Sequence, residues 1–225
     1  DVLATELKDQ FDAIVLSGGA TVRRGLPIEG ADLKGVVQAM DFLKQNNKRV
    51  DGIKDLGEEI KATGKNVVVI GGGDTGSDCI GTSIRHGATS VSNFEILGKP
   101  PVGRPEDQPW PFWPMRLRTS SSHKEGVERF FSISTKKFIG DKNGNLKGLI
   151  TSQVEWIKQP GQRPILKEVP GTEKEWKCEL ALLAMGFTGS EMTVAEQLGL
   201  EADARTNIKA SETDYKTNVP GVFVA

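Results

Sequence analysis

The segment Gly71-Gly72-Gly73-Asp74-Thr75-Gly76 constrains the fold more than any other stretch of the chain. An apolar run, Asn66–Ile70, precedes it, and residues 74–86 follow with Cys79, Ile80 and Ile84 at helical spacing. A strand entering a helix through G-x-G-x-x-G has a physical logic. Gly71 permits the tight turn, Gly73 lets the backbone approach a pyrophosphate, and Gly76 lets the helix pack on the sheet. The helix start then offers free N–H groups and a partial positive charge to phosphates. Residues 90–97 read as the next strand, which completes a βαβ unit of about 30 residues. Glu95 near its end can accept hydrogen bonds from a ribose 2′-OH. The glycine pattern alone is weak, and a plain turn is its bland alternative. The flanking strand, helix and acidic residue favour dinucleotide binding by Gly71, Gly72, Gly73, Asp74, Thr75, Gly76 and Glu95. A carboxylate at Glu95 repels a 2′-phosphate and the next arginine is Arg104, so NADH is favoured over NADPH unless Lys99 or Arg104 reaches in.

Around this unit the chain alternates between apolar runs and turn signals. Residues 11–16 read as a buried strand ending at Ser17-Gly18-Gly19, and residues 33–45 as an amphipathic helix. Residues 46–62 are polar and read as a connection between domains. Residues 98–124 hold six prolines and no periodicity, which marks a long loop. Residues 128–139 and 146–157 read as two strands around Asp141-Lys142-Asn143-Gly144, where Asn-Gly supplies a hairpin turn. A loop is expected over 158–171, a buried strand over 177–185, a short helix over 194–200 stopped by Gly199, and a last strand at 221–225. Residues 13–21 and 180–188 echo each other as strand, glycine and threonine, which suits two related nucleotide-binding domains.

Bulk properties bound the function. Lys plus Arg is 29 and Asp plus Glu is 30, a net charge of −1, so no global basic field favours nucleic acid or an anionic membrane. The sequence has no apolar run of membrane-spanning length and no signal peptide. Cys79 and Cys178 are far apart, so neither a CxxC redox pair nor a disulfide framework is expected, and a reducing, cytoplasmic compartment is the simplest reading. The start at Asp1 and the strand-like end at Ala225 suggest a fragment of a longer protein. His86 and His123 lack ligand-spaced partners, so no metal site is expected. Cys79 reads as a buried small hydrophobe, and Lys136 and Lys137 as a solvated strand face. Asp74 could cap the helix, touch the cofactor, or both. Trp110 and Trp113 could stack on a nicotinamide or an interface, or pack in a proline-stiffened loop on their own domain.

Several segments together resemble glutamate synthase small (beta) subunits. They are 71–79 with the glycine loop, Gly19-Ala20-Thr21, and Pro27-Ile28-Glu29-Gly30. Phe94-Glu95-Ile96-Leu97, Pro100-Pro101 and Trp110-Pro111-Phe112-Trp113-Pro114 belong to the same set. So do Ser120-Ser121-Ser122-His123-Lys124-Glu125-Gly126 and Leu183-Ala184-Met185-Gly186-Phe187-Thr188-Gly189. Gly186 and Phe187 in the last stretch complete the expected cofactor-binding set. The resemblance implies an α/β fold in which a Rossmann-like NAD(P)-binding domain, residues 63–190, is inserted between two pieces of an FAD-binding domain. Those pieces are residues 1–62, including a linker, and residues 191–225. It further implies an NAD(P)H-dependent flavoprotein oxidoreductase that reduces FAD. Electrons would pass through iron–sulfur clusters of the full-length protein, outside this fragment, to a large (alpha) subunit that makes glutamate from glutamine and 2-oxoglutarate in ammonia assimilation. Cofactors carry such chemistry and the protein supplies orientation, so binding residues and no catalytic residue are expected. A non-catalytic dinucleotide-binding scaffold or sensor is the alternative. A disulfide reductase would need a CxxC, which is absent.

Overall fold

Three consecutive valines, Val67 to Val69, are each at most 1 % exposed. Branched side chains stiffen the extended chain, and an unbroken apolar run suits a parallel strand covered on both faces. The computed structural model, which describes residues 2–157, 159 and 161–225, builds a sheet around this run. In chain order the elements begin with α1 (Ala4–Gln10), β1 (Ile14–Leu16), β2 (Val22–Arg23), β3 (Val36–Gln38) and α2 (Ala39–Val50). The glycine unit follows as β4 (Asn66–Ile70), α3 (Asp74–Arg85) and β5 (Ser90–Glu95). Next come α4 (Ser121–Lys124), β6 (Glu128–Phe131), β7 (Ile133–Gly140), β8 (Leu146–Ile157), β9 (Ile165–Glu168) and β10 (Lys174–Lys177). The chain ends with β11 (Leu180–Leu183), β12 (Phe187–Gly189), α5 (Thr193–Leu198) and β13 (Val222–Val224).

These elements form two compact units. One is Gly25–Met185, and the other joins the chain up to Arg24 to Gly186–Ala225. The first unit holds a parallel sheet in the order β3-β11-β4-β5-β6. Side chains alternate across it. Val67, Val69, Leu180 and Leu182 meet Phe42, Cys79 and Ile80 from the helices, while Val68, Ala181 and Leu183 meet Phe138 and Leu149 of the antiparallel β7-β8-β10 layer. In the other unit β1 pairs in parallel with β13 and β2 antiparallel with β12, around Ala195, Leu198 and Val222.

The structure corrects several expectations. The boundary near residue 62 moves to Gly25, and the one near residue 190 moves to Met185. Residues 33–45 are not one helix, because Val36–Gln38 pairs with β11, and the Ala181 N–H donates to the Gly35 carbonyl at 2.8 Å. That pairing draws the following helix onto the sheet, where Phe42 is fully buried. The polar stretch 46–62 is not a linker. The Gln45 side chain accepts the Ile60 N–H at 2.7 Å and donates to the Leu56 and Glu58 carbonyls, and Ala62 is buried. Residues 128–139 break at Ser132, whose φ of 54° turns the chain from the parallel sheet into the antiparallel one. Residues 177–185 divide likewise between β10 and β11. Residues 11–16 keep only a three-residue strand, with Val15 mostly exposed. Within the loop expected over 158–171, Lys158 and Pro160 lie outside the described residues, and β9 adds a strand.

Other expectations match. Strand β8 has the expected bounds. The preceding turn closes on Gly144 at φ 77°, with Asp141 Oδ1 accepting the Asn143 and Asn145 N–H groups. Gly199 ends α5 at φ 67°.

Candidate functional site

The end of β4 and the start of α3 are held by their own glycines. Gly71 has a φ of 118°, and a Cβ there would overlap the Ala184 carbonyl oxygen. A Cβ at Gly76 would lie 2.5 Å from the Gly71 carbonyl oxygen. Gly71 therefore serves the close approach of its loop to the end of β11, and Gly76 the close passage of the helix over the loop. Gly73 is different. Its φ of −81° suits any residue, and a Cβ there meets nothing within 4 Å. Replacing Gly71 by alanine is expected to cost at least about 3 kcal/mol of stability, through left-handed backbone and backbone overlap together. Chemical denaturation of the Gly71→Ala variant checks this, and a change below about 1 kcal/mol would contradict it.

The helix that begins here is uncapped by any side chain, because its N-cap is Gly73. Asp74 is its first residue and so does not occupy the capping position. Asn93, almost fully buried on β5, donates through Nδ2 to the Val69 and Gly71 carbonyls at 3.1 and 2.8 Å. It pins the loop to the neighbouring strand. At the end of that strand the Glu95 carboxylate lies against Gly72, where a Cβ would collide with it, and Oε1 accepts the Leu97 N–H at 3.0 Å.

Gly72, Gly73, Asp74 and Glu95 thus line one cleft of about 310 Å³, and Gly71 and Gly76 shape its floor. Thr75 is half-buried on the first turn of α3 and does not line it. Gly186 and Phe187 lie in the other unit, where Phe187 pairs with Arg23. Lys99 does not line the cleft, and Arg104 is tied inside its own loop by bonds to the Gln108 and Phe112 carbonyls. The cations that do line it are Arg116, Arg118 and Arg129. The sequence reading missed these, together with Asn93 and His123. Only the pairing of β5 with β6 brings Arg129 here. Asn93 sits with Ser90, Ser92 and Glu95 in a strand of mixed polarity, so nothing in its sequence signalled burial.

Arg118 stacks on Trp113 at 3.9 Å, and the Arg118 carbonyl accepts Arg129 Nη1 at 2.9 Å. His123 Nδ1 accepts the Ser120 N–H at 3.1 Å, which fixes its tautomer with the proton on Nε2. Burial and then the Arg129 charge lower its pKa below the ordinary histidine value. Trp110 and Trp113 are both largely exposed. His86 lies away from the cleft, edge-on to Phe42, with Nε2 donating to Asn46 Oδ1 at 2.9 Å.

Cys79 and Cys178 are buried in the cores on opposite faces of the sheet. Burial pushes each thiol up to about 12. Neither supplies a thiolate near neutral pH. Among the described residues no group of three or more His, Cys, Asp or Glu side chains is placed to hold a metal ion, and no helix is long and apolar enough to cross a membrane.

A parallel sheet with an uncapped helix start above an open glycine and a carboxylate at the neighbouring strand end is the arrangement of a dinucleotide-binding unit. In agreement, residues 2–225 match the model of the pyridine nucleotide-disulphide oxidoreductases, and the chain belongs to that family. Its whole length is 44 % identical to part of the NADH glutamate synthase of Schizosaccharomyces pombe, spanning 11 % of that protein. It is also 44 % identical over its whole length to the NADPH glutamate synthase small chain of Mycobacterium tuberculosis, spanning 46 % of it. The resemblance read from the motifs is therefore borne out, and the chain spans less than half of each of these relatives. Its fold is also that of Mycobacterium tuberculosis FprA in complex with NADPH, with a TM-score of 0.68 at 19 % identity, over 99 % of this chain and 60 % of that one.

Proposed function

We propose that this chain is the NAD(P)H-binding electron-input module of a glutamate synthase. The observation that carries the reading is the cleft, where an open glycine, an uncapped helix start and a strand-end carboxylate converge. Unit Gly25–Met185 is the NAD(P)-binding domain, and the chain up to Arg24 with Gly186–Ala225 belongs to an FAD-binding domain whose sequence it interrupts. The residues fit the dinucleotide. Gly72, Gly73, Asp74 and the first turn of α3 would hold the pyrophosphate, with Gly71, Thr75 and Gly76 shaping that turn, and Glu95 would hold the adenosine ribose. Glu95 favours NADH, and Gly186 and Phe187 belong to the cofactor-binding residues of the second unit. When bound, NADH or NADPH supplies a hydride and FAD accepts it. The chain's own residues orient these partners and contribute no acid or base.

Iron–sulfur clusters held elsewhere in the full-length protein carry electrons onward, since both cysteines here are buried in apolar cores. A large subunit or domain is the partner that forms glutamate from glutamine and 2-oxoglutarate, and the cytoplasm is the setting. The names of the 44 %-identical relatives support this assignment. Stopped-flow mixing of the full-length protein with NADH and with NADPH tests it. Rapid bleaching of the flavin is expected. Nucleotide binding without bleaching would overturn the electron-input role and leave a scaffold or sensor.

A further inference from the structure

Arg129 occupies a place that the glycine motif does not explain. Strand β6 runs parallel to β5, with Arg129 opposite Asn93 and Phe131 opposite Glu95. Residues directly opposite in a parallel pair share a sheet face, so Arg129 lies on the face that carries Asn93, Glu95 and α3. Its side chain lines the same cleft as Glu95 and Gly73. The Glu95 charge acts on the guanidinium, opposing the effect of burial, but the two do not close into an ion pair. Among the described residues the guanidinium makes one hydrogen bond, from Nη1 to the Arg118 carbonyl, and its Nε is buried without a partner. A partly buried cation with spare donors, beside an acidic group it does not neutralise by contact, is suited to an anion entering between them.

We propose that Arg129 is a specificity-determining residue that admits the 2′-phosphate of NADPH to a cleft whose Glu95 favours the free ribose of NADH. This rests on reading the cleft as the adenosine end of a dinucleotide site. Glu95 takes the 2′-OH when NADH binds. When NADPH binds, the guanidinium of Arg129 meets the phosphate with charge-assisted hydrogen bonds and offsets the repulsion from Glu95. Arg118, stacked on Trp113 and bonded to Arg129 through its carbonyl, holds the loop side of the same pocket.

The test is a set of dissociation constants on the full-length protein at one fixed salt concentration, for NADH, NADPH, 5′-AMP and adenosine 2′,5′-bisphosphate. Arg129→Gln is expected to weaken NADPH and the bisphosphate about tenfold and to change NADH and 5′-AMP less than about twofold. Arg129→Lys, which keeps a charge and a donor, is expected to retain most of the NADPH affinity. Equal losses for phosphorylated and unphosphorylated ligands would overturn the inference and leave Arg129 a structural anchor for the Arg118 loop. Unchanged NADPH binding in Arg129→Gln would overturn it too, while leaving the site assignment intact. Failure of the wild type to bind any of the four ligands would instead overturn the site assignment beneath it. If Arg129→Gln does not fold, Arg129→Met decides in its place, because it also removes the charge, and equal losses of NADPH and NADH affinity in it would contradict the proposal.

Discussion

Replacing Gly73 by valine is expected to abolish detectable dinucleotide binding while the protein stays folded. Gly71, Gly73 and Gly76 differ in what a side chain would meet. A side chain at Gly71 or Gly76 strikes the protein's own backbone, so a binding defect there would be confounded with misfolding. At Gly73 the backbone is extended and a Cβ meets nothing within 4 Å. The added isopropyl group would occupy only the space above the start of α3 that the pyrophosphate requires. The expected cost to the fold is about 1 kcal/mol, because valine is a poor N-cap. The expected loss of affinity is on the order of a hundredfold or more, equivalent to about 2.7 kcal/mol. Calorimetric titration with NADH and NADPH, beside a thermal melt, measures both. A folded Gly73→Val protein that keeps its nucleotide affinity would sink the site assignment.

The second large effect is expected at Glu95. Its carboxylate is fixed against Gly72 and by the Leu97 N–H, so it presents a charge at the position of the adenosine ribose. Close like charges in a partly solvated cleft cost about 1–4 kcal/mol, and the arginines on the opposite side reduce the net penalty toward the lower figure. Wild-type protein is therefore expected to bind NADH more tightly than NADPH by a modest factor. Glu95→Gln narrows that preference, and Glu95→Arg inverts it, with a total swing of about a hundredfold in the ratio of dissociation constants. Measurement of both constants for each protein at fixed ionic strength decides. Tighter NADPH binding by the wild type would show that the arginine side outweighs Glu95.

The β4–α3–β5 unit was legible in the sequence because each of its signals is local. Three valines in a row, a glycine loop and a helical repeat sit within about 30 residues, and the hairpin after β7 was marked by Asn143-Gly144 in the same way. What was not legible depends on distant pairing. Val36 to Gln38 carries a pattern compatible with a helix, and becomes a strand because β11 offers it a ladder. The corner at Ser132 has no glycine to announce it, since the requirement arises where two sheets meet. The candidate site divides along the same line. Gly72, Gly73 and Glu95 could be placed by spacing within one βαβ unit. Arg129 belongs to a strand whose neighbour in the sheet is fixed only by the fold, so a search for cations just after Glu95 stopped at Arg104.

The nesting of one unit within the other sets an order on assembly. Every strand of the parallel sheet, and the layer behind it, comes from the continuous stretch Gly25–Met185. During synthesis that stretch has all its partners once Met185 has emerged. Strand β1 does not, because Ile14 pairs with Val222 near the far end of the chain. Its partner is made only after the whole of Gly25–Met185. Left to itself, closing so long a loop carries a large entropic cost that slows formation of the pairing. A folded inner unit shortens the effective loop, because the intervening residues then count as one rigid body. The outer unit therefore depends on the inner one kinetically, and a lesion such as Gly71→Ala delays both.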